Sequence, residues 1–334
     1  MRPSLTLRLL SVATVVALAL SACSSSGGRQ EEERRQAAAT GGAGEASGGR
    51  RFTIAMITHE TPGDTFWDKI KAGANAAAQL HGIELRYAND PAAAKQAVLI
   101  QNAVDSRVDG IATTLVSPDA LGSAVKAAVD AGIPVVGFNA GIDQYKDLGA
   151  LMYFGSDETV AGNAVGEKIA AAGAKHPLCV VHEQGSVSLE ARCNGVRKQA
   201  SGTENINVNG ADLASVTSTL TAKLQQDKSI DYVVTLGAPI AMAALQALEQ
   251  SGSSAKVVTF DLNEDTVKAI QDGRIEFSVD QQPYVQGYEA VDSLWLYLTN
   301  RNDIGGGRAV LTGPSIVDKS NIDAIAEHAA KGTR

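Results

Sequence analysis

Three features are scarce in this chain, and each scarcity narrows what it can be. No basic cluster stands outside the first 50 residues, and the formal net charge is −8. A nucleic-acid binder would carry a basic face, so that class is set aside. No apolar run is long enough for a comfortable membrane-spanning helix. The longest, Leu9 to Leu20, falls short of the ~20 residues such a helix needs. Catalytic signatures are missing too. There is no Gly-x-x-x-x-Gly-Lys-Ser/Thr phosphate loop, no Gly-x-Ser-x-Gly elbow and no His-Glu-x-x-His zinc motif. The expectation is a protein that is not an enzyme and needs no cofactor.

The N-terminus carries a positive signal. Arg2 and Arg8 precede the apolar run, and small residues follow it, so residues 1–22 read as an export signal. Leu20-Ser21-Ala22-Cys23 resembles the lipobox of bacterial lipoproteins, which implies cleavage before Cys23 and a diacylglycerol on its sulfur. The other reading is an ordinary signal peptide with an incidental cysteine. Residues 23–50 hold no large apolar side chain and read as a flexible tether, reaching roughly 25–30 Å. The expected location is outside the cytoplasm, lipid-anchored to the cell membrane. Of the three cysteines, Cys179 and Cys193 remain. In an oxidising compartment they are either a disulfide or two buried thiols, and sequence leaves that open.

From Phe52 onward, short apolar runs alternate with amphipathic ones, and the 44% hydrophobic content supports a packed core. Strands are expected at Phe52–Thr58, Ile83–Tyr87, Gly110–Leu115 and Ile133–Phe138, with helices at Thr65–Leu80, Pro91–Val104 and Pro118–Ala131. Proline early in a helix and glycine just past its end (Pro118, Gly82, Gly132) support these limits. The pattern restarts near Asp157, with strands at Leu178–His182, Tyr232–Leu236, Val257–Phe260 and Phe277–Val279. Such alternation predicts an α/β fold of two doubly wound, parallel-sheet domains. A faint repeat agrees, because the first strand of each unit ends in His-Glu: His59-Glu60 and His182-Glu183. Ligands bind beyond the carboxyl ends of parallel strands. The polar residues there are His59, Glu60, Asp64, Asn139, His182, Glu183, Asp261, Asp280 and Gln281. Hydrogen-bonding cleft walls are the ordinary use of the two His-Glu pairs; a metal held between them is the alternative. Tyr288 and Trp295 share a helical face with Val291 and Leu298 and read as packing.

At this point a family resemblance emerges. Its carriers are Asp64-Thr65-Phe66-Trp67, Val108-Asp109-Gly110-Ile111, Ser117-Pro118-Asp119-Ala120, Ala131-Gly132-Ile133-Pro134, Arg192-Cys193-Asn194-Gly195, Val258-Thr259-Phe260-Asp261 and Asp280-Gln281-Gln282-Pro283. In this order they resemble the substrate-binding lipoproteins of bacterial ABC sugar importers, the ribose/galactose-binding cluster related to lac-repressor-type effector domains. The resemblance implies the periplasmic-binding-protein type I fold, with lobes 51–156 plus 282–310 and 157–281 plus 311–334 joined by three crossing strands. It also implies a monomer that delivers a sugar or polyol to a membrane permease, with a separate ATPase subunit. The ligand-binding residues it implies are Asp64, Phe66, Trp67, Asn139, Arg192, Asp261 and Gln281; strand-end position alone adds Glu60 and Glu183 as lesser candidates. An aromatic face stacks on the C–H face of a sugar ring, and a guanidinium can donate paired hydrogen bonds to hydroxyls.

One departure stands out. Where the family often has Asn-Asp after Val234, this chain reads Thr235-Leu236-Gly237-Ala238-Pro239. Two side-chain hydrogen bonders are missing. That leaves room for a polyol, an inositol, a modified sugar or a furanone-type signal molecule. A sensory role, presenting such a ligand to a membrane receptor, is the alternative to import.

Overall fold

The computed structural model describes residues 51–334. The signal peptide, Cys23 and the tether lie outside the described residues. Two six-stranded sheets form the framework. The first contains β1 (Thr53–Thr58), β2 (Glu84–Asn89), β3 (Gly110–Thr114), β4 (Val135–Phe138), β5 (Met152–Ser156) and β11 (Val310–Gly313), in the order β11-β5-β4-β3-β1-β2. The second contains β6 (Pro177–Val181), β7 (Glu204–Asn207), β8 (Tyr232–Thr235), β9 (Lys256–Phe260), β10 (Ile275–Asp280) and β12 (Ser315–Asp318), in the order β12-β10-β9-β8-β6-β7. The two orders correspond position by position. Central strands such as β1, β3, β6 and β8 are buried on both faces, while the edge strands β2 and β7 are largely open. That contrast explains why the central strands read as continuous apolar runs.

The described residues hold ten helices: α1 (Phe66–His81), α2 (Ala93–Asp105), α3 (Pro118–Asp130), α4 (Glu158–Ala171), α5 (Val187–Gln199), α6 (Leu213–Gln226), α7 (Ala238–Ser251), α8 (Glu264–Gln271), α9 (Pro283–Asn300) and α10 (Asp323–Ala330). Tyr288 and Trp295 on α9 pack against the first lobe's core, where Trp295 stacks on His81 at 4.0 Å. Local capping fits the sequence. Asp157 caps α4 through Val160 N–H, and Asn263 forms a capping box with Thr266 at α8.

The chain passes between the sheets three times: from β5 into α4, from β10 into α9, and from β11 into β12. The last passage lies beyond Gly313 rather than at 310/311, because Val310–Gly313 pairs with β5. One strand departs from the all-parallel expectation. β11 runs parallel to β5 toward the boundary between lobes, crosses it, and so enters the second sheet running away from it. β12 is therefore antiparallel to β10.

Each lobe is locked by one pair of helices in backbone contact. In the first lobe α1 meets α9. A Cβ on Gly73 would lie 2.0 Å from the Tyr284 carbonyl oxygen, and one on Gly287 would lie 2.0 Å from that of Ile70. In the second lobe α4 meets α5, where a Cβ on Gly162 would lie 2.2 Å from the Arg192 carbonyl oxygen. Each lobe thus pairs the helix following its first strand with the helix that enters from the other lobe. A disulfide between Cys179 on β6 and Cys193 on α5 adds a covalent tie in the second lobe. Both sulfurs belong to fully buried residues.

Two outcomes follow from this packing. Gly73→Ala, which has no space for its methyl, is expected to lower unfolding stability by about 1–3 kcal/mol in urea titration. Replacing both Cys179 and Cys193 by Ala opens a loop of 14 residues. The expected loss is about 3 kcal/mol in the same assay.

Candidate functional site

A cavity of about 770 Å³ lies between the lobes, bounded by the carboxyl ends of strands from both sheets. The lobes touch across it. Val187 N–H donates to the Val116 carbonyl at 3.2 Å, and His59 Nε2 faces Glu183 Oε2 at 3.7 Å. Asp64, Phe66, Trp67, Asn139, Glu183, Arg192, Asp261 and Gln281 all line the cavity.

The aromatic wall comes from the start of α1. Phe66 and Trp67 are buried in the first lobe's core as well as facing the cavity, so each packs and lines at once. Trp67 is held edge-on by His59 at 4.7 Å and by Phe66 at 5.2 Å. Asp64 combines a cap and a site position. Its Oδ1 accepts from Phe66 N–H at 3.0 Å, and burial raises its pKa above the ordinary value.

Arg192 is set by the close approach of α4 and α5. It sits one helical turn before Gly195, is 3% exposed, and its Nε and Nη2 donate to the two carboxylate oxygens of Glu158. Its Nη1 donates to the Leu236 carbonyl at 3.0 Å, and the guanidinium lies 4.4 Å over the Phe260 ring. Five N–H donors less three used leaves two free on a residue that lines the cavity. The Leu236 backbone thus supplies an acceptor at the strand end where the sequence lacks polar side chains.

Asn139 and Asp261 end the corresponding strands β4 and β9, and both adopt left-handed backbone, with φ of 64° and 65°. Such conformations are costly outside glycine and collect at functional sites. Gln281 joins the two residues. Asn139 Nδ2 donates to Gln281 Oε1 at 3.3 Å, and Gln281 Nε2 donates to Asp261 Oδ1 at 2.8 Å. Gln286 and Thr312 extend this network, both donating to the Gln281 carbonyl. Most of the Gln281 amide is therefore spent on bridging the lobes.

Two candidates turn elsewhere. Glu60 does not line the cavity; it accepts from Lys71 Nζ at 3.1 Å and from the Tyr87 hydroxyl. Asp280 accepts from Gln282 N–H and from Arg334 at the hinge. With Glu60 turned away, the two His-Glu pairs do not converge on one point. His59 Nδ1 instead pairs with Thr114 Oγ1 at 2.7 Å. Lys69, which the sequence reading passed over, is buried on α1 near the charges of Asp64 and Asp261 without lining the cavity. Its signal was available: it falls on the same helical face as Phe66, Ile70 and Gly73.

Burial dominates the electrostatics. It pushes Asp261 up to about 7 against the opposing pull of Arg192, and it pushes Glu183 up to about 7, helped by the Asp64 charge. Burial also lowers His59 to about 3, helped by His182, and His182 to about 4, helped by Arg192. Near neutrality both imidazoles are uncharged, and the two carboxyls can each accept or donate a hydrogen bond. This is a set of groups suited to pairing with neutral hydroxyls.

These features define a class: a two-lobed α/β solute-binding protein with a cavity between the lobes. The chain belongs to the periplasmic binding protein family, whose domain model matches residues 54–302. It is 29% identical over 260 residues to the ribose import binding protein RbsB of Escherichia coli, covering 72% of this chain and 83% of that one. It is 25% identical over 242 residues to the xylose/arabinose-binding protein XylF of Sulfolobus acidocaldarius, covering 67% of this chain but only 60% of that protein's length. A carbohydrate transporter from Acidothermus cellulolyticus, crystallised with myo-inositol, superposes with a TM-score of 0.84 at 59% identity, covering 85% of this chain and all of that one. These relatives are named as binding and transport proteins, and membership of the family makes this chain a solute-binding protein rather than an enzyme.

Asp261 generates a pH prediction. Unfolded, its carboxyl ionises near 3.8; folded, it holds its proton to about 7. The unfolded chain therefore loses that proton first, and the Asp261 contribution to native stability falls as pH climbs from about 4 to about 7, opposed up to about 6.5 by the depressed His59 and His182, whose contributions rise with pH. Relative to the unsubstituted protein, Asp261→Asn is expected to make the slope of melting temperature against pH more positive across this range. An unchanged slope would mean the carboxyl is not the group responsible.

Proposed function

We propose that this chain is the extracytoplasmic, lipid-anchored binding component of an ABC importer, and that it captures a cyclic polyol of the myo-inositol type between its lobes. The observation that carries the reading is the cavity itself: an aromatic wall at Phe66 and Trp67 faces polar groups from both lobes, in a chain 59% identical to a protein crystallised with myo-inositol. A polyol ring offers an apolar C–H face for Trp67 and hydroxyls around its rim for Asp64, Asn139, Arg192 and Asp261. Such a ligand is uncharged, which fits a site where Arg192 is already neutralised by Glu158 and burial favours protonated carboxyls. The absence of polar side chains after β8, where the Leu236 carbonyl is taken up by Arg192, fits a polyol or inositol better than the ligands of relatives that carry Asn-Asp there.

Closure follows from differential affinity. A ligand contacting Trp67 on one lobe and Arg192 on the other binds the closed arrangement better than the open one, and it shifts the population by that difference alone. A permease reading the closed form then receives loaded protein, with ATP hydrolysis on a separate subunit. A sensor would use the same cavity, but the import roles named for the relatives favour transport.

Myo-inositol is expected to raise the melting temperature of the protein by mass action. Arg192→Ala should weaken binding about tenfold or more, since a hydrogen bond to a charged group contributes roughly 1.5–3 kcal/mol, and Asp261→Ala should weaken it about threefold to tenfold, since a neutral one contributes roughly 0.5–1.5 kcal/mol. A shift with no carbohydrate or polyol, but with another solute class, would reject the ligand assignment. For the anchor, Cys23→Ser should move the protein from the membrane to the soluble fraction of cells; retention would reject lipidation at that residue.

A further inference from the structure

The lobes meet across the cleft at two places that differ in kind. Val187 N–H donates to the Val116 carbonyl at 3.2 Å, a bond already made. His59 Nε2, on the first lobe, stands 3.7 Å from Glu183 Oε2 on the second. That is short of a hydrogen bond, which needs a separation of about 2.7–3.2 Å. A further approach of about 0.5–1 Å would make it. What such a bond would be depends on which ring nitrogen of His59 carries the proton.

The surroundings decide that. Gln96 is fully buried on α2, and its side-chain nitrogen lies 2.9 Å from the Thr114 carbonyl oxygen. A carbonyl only accepts, so the amide must turn its nitrogen that way. The same nitrogen donates to Thr114 Oγ1 at 3.0 Å. The buried Thr114 hydroxyl therefore receives from Gln96 and still has its own proton to give. Among the described residues, the other group it pairs with is His59 Nδ1, at 2.7 Å. Nδ1 is then the acceptor. Burial lowers His59 to about 3, so near neutrality the ring holds a single proton. That proton is on Nε2, and Nε2 faces Glu183.

Glu183 can receive it whether ionised or not, since a protonated carboxyl keeps an acceptor oxygen. Among the described residues its carboxyl makes no hydrogen bond, and it lines the cavity. The His59 ring also meets Trp67 edge-on at 4.7 Å, which ties the donor to the aromatic wall. We infer that His59 is a closure latch: with Thr114 and Gln96 fixing its tautomer, its Nε2–H donates to Glu183 across the cleft once a ligand draws the lobes fully shut. A bond present only in the shut arrangement stabilises that arrangement alone, so it slows release without slowing entry. Thr114, outside the cavity, is a positioning residue that acts through His59. The latch would serve any solute enclosed between the lobes and does not depend on its being a polyol.

Imidazole nitrogen NMR reads the tautomer directly, on the protein alone and with myo-inositol. His59, assigned by the loss of its signals in His59→Phe, is expected in the Nε2–H form. Thr114→Val, which removes the hydroxyl at nearly unchanged shape, should let the Nδ1–H form appear. Stopped-flow measurement with myo-inositol then reads release. Thr114→Val and His59→Phe are each expected to release it about threefold to tenfold faster, the effect of one neutral hydrogen bond, with association rates unchanged within about twofold. The double variant should be no faster than His59→Phe, because both substitutions remove the same bond. Thr114→Ser, which keeps the hydroxyl, should match the unsubstituted protein. A His59 proton on Nδ1, or an unchanged release rate in Thr114→Val, would overturn the latch and leave the polyol reading standing. No binding of myo-inositol by any form would reject the polyol reading, while the tautomer would still decide the latch.

Discussion

A guanidinium shut away from water has to be paired, and the second lobe is organised around meeting that demand for Arg192. Leaving such a charge unpaired costs several kcal/mol, so its partners must be fixed in advance. Glu158 provides both carboxylate oxygens, and it stands at the start of α4, where the chain has just crossed from the first lobe. The Leu236 carbonyl and the Phe260 ring complete the surroundings. This arrangement is possible only because α4 and α5 meet at Gly162 and Gly195, where any side chain would collide with backbone. Helix contact, crossing point and binding-site charge are thus one constraint.

The first lobe solves the same geometric problem with different chemistry. Gly73 and Gly287 bring α1 and α9 together, but the residue one turn before Gly73 is Ile70 rather than an arginine. One lobe offers aromatic rings and the other a paired charge. The duplicated framework also explains the strained residues. Asn139 and Asp261 occupy corresponding strand ends, share a left-handed backbone, and are linked through Gln281 at the crossing. A hydrogen-bond chain from lobe to lobe through the hinge is a means of coupling the site to the angle between lobes.

Much of this was legible in the sequence, for identifiable reasons. Central strands buried on both faces read as apolar runs, and Pro118, Gly82 and Gly132 marked helix limits by backbone chemistry alone. The strand-end rule and the family resemblance placed Asp64, Trp67, Asn139, Arg192 and Asp261 at the cavity. What was not legible has a common cause. Helix α4 packs through Ala161, Gly162, Val165 and Gly166, so its buried face carries little apolar periodicity. Strand β5 contains Gly155, and β11 and β12 are short pieces whose identity depends on sheet pairing. The partner of Arg192 was not legible because Glu158 lies 34 residues away, at the start of a helix whose buried face is mostly small residues. Glu60 shows the converse: position alone nominated it, while Tyr87 and Lys71 from neighbouring elements claim its oxygens.

The central claim is that a polyol ring sits between the lobes with Trp67 on one side and Arg192 on the other. A crystal structure of the protein grown with myo-inositol tests it most directly. The account predicts a ring stacked on the first lobe's aromatic wall, with hydroxyls hydrogen-bonded to Arg192, Asp261 and Asn139. A ring bound elsewhere, or one in the cavity with no contact to Arg192 and Asp261, would contradict it.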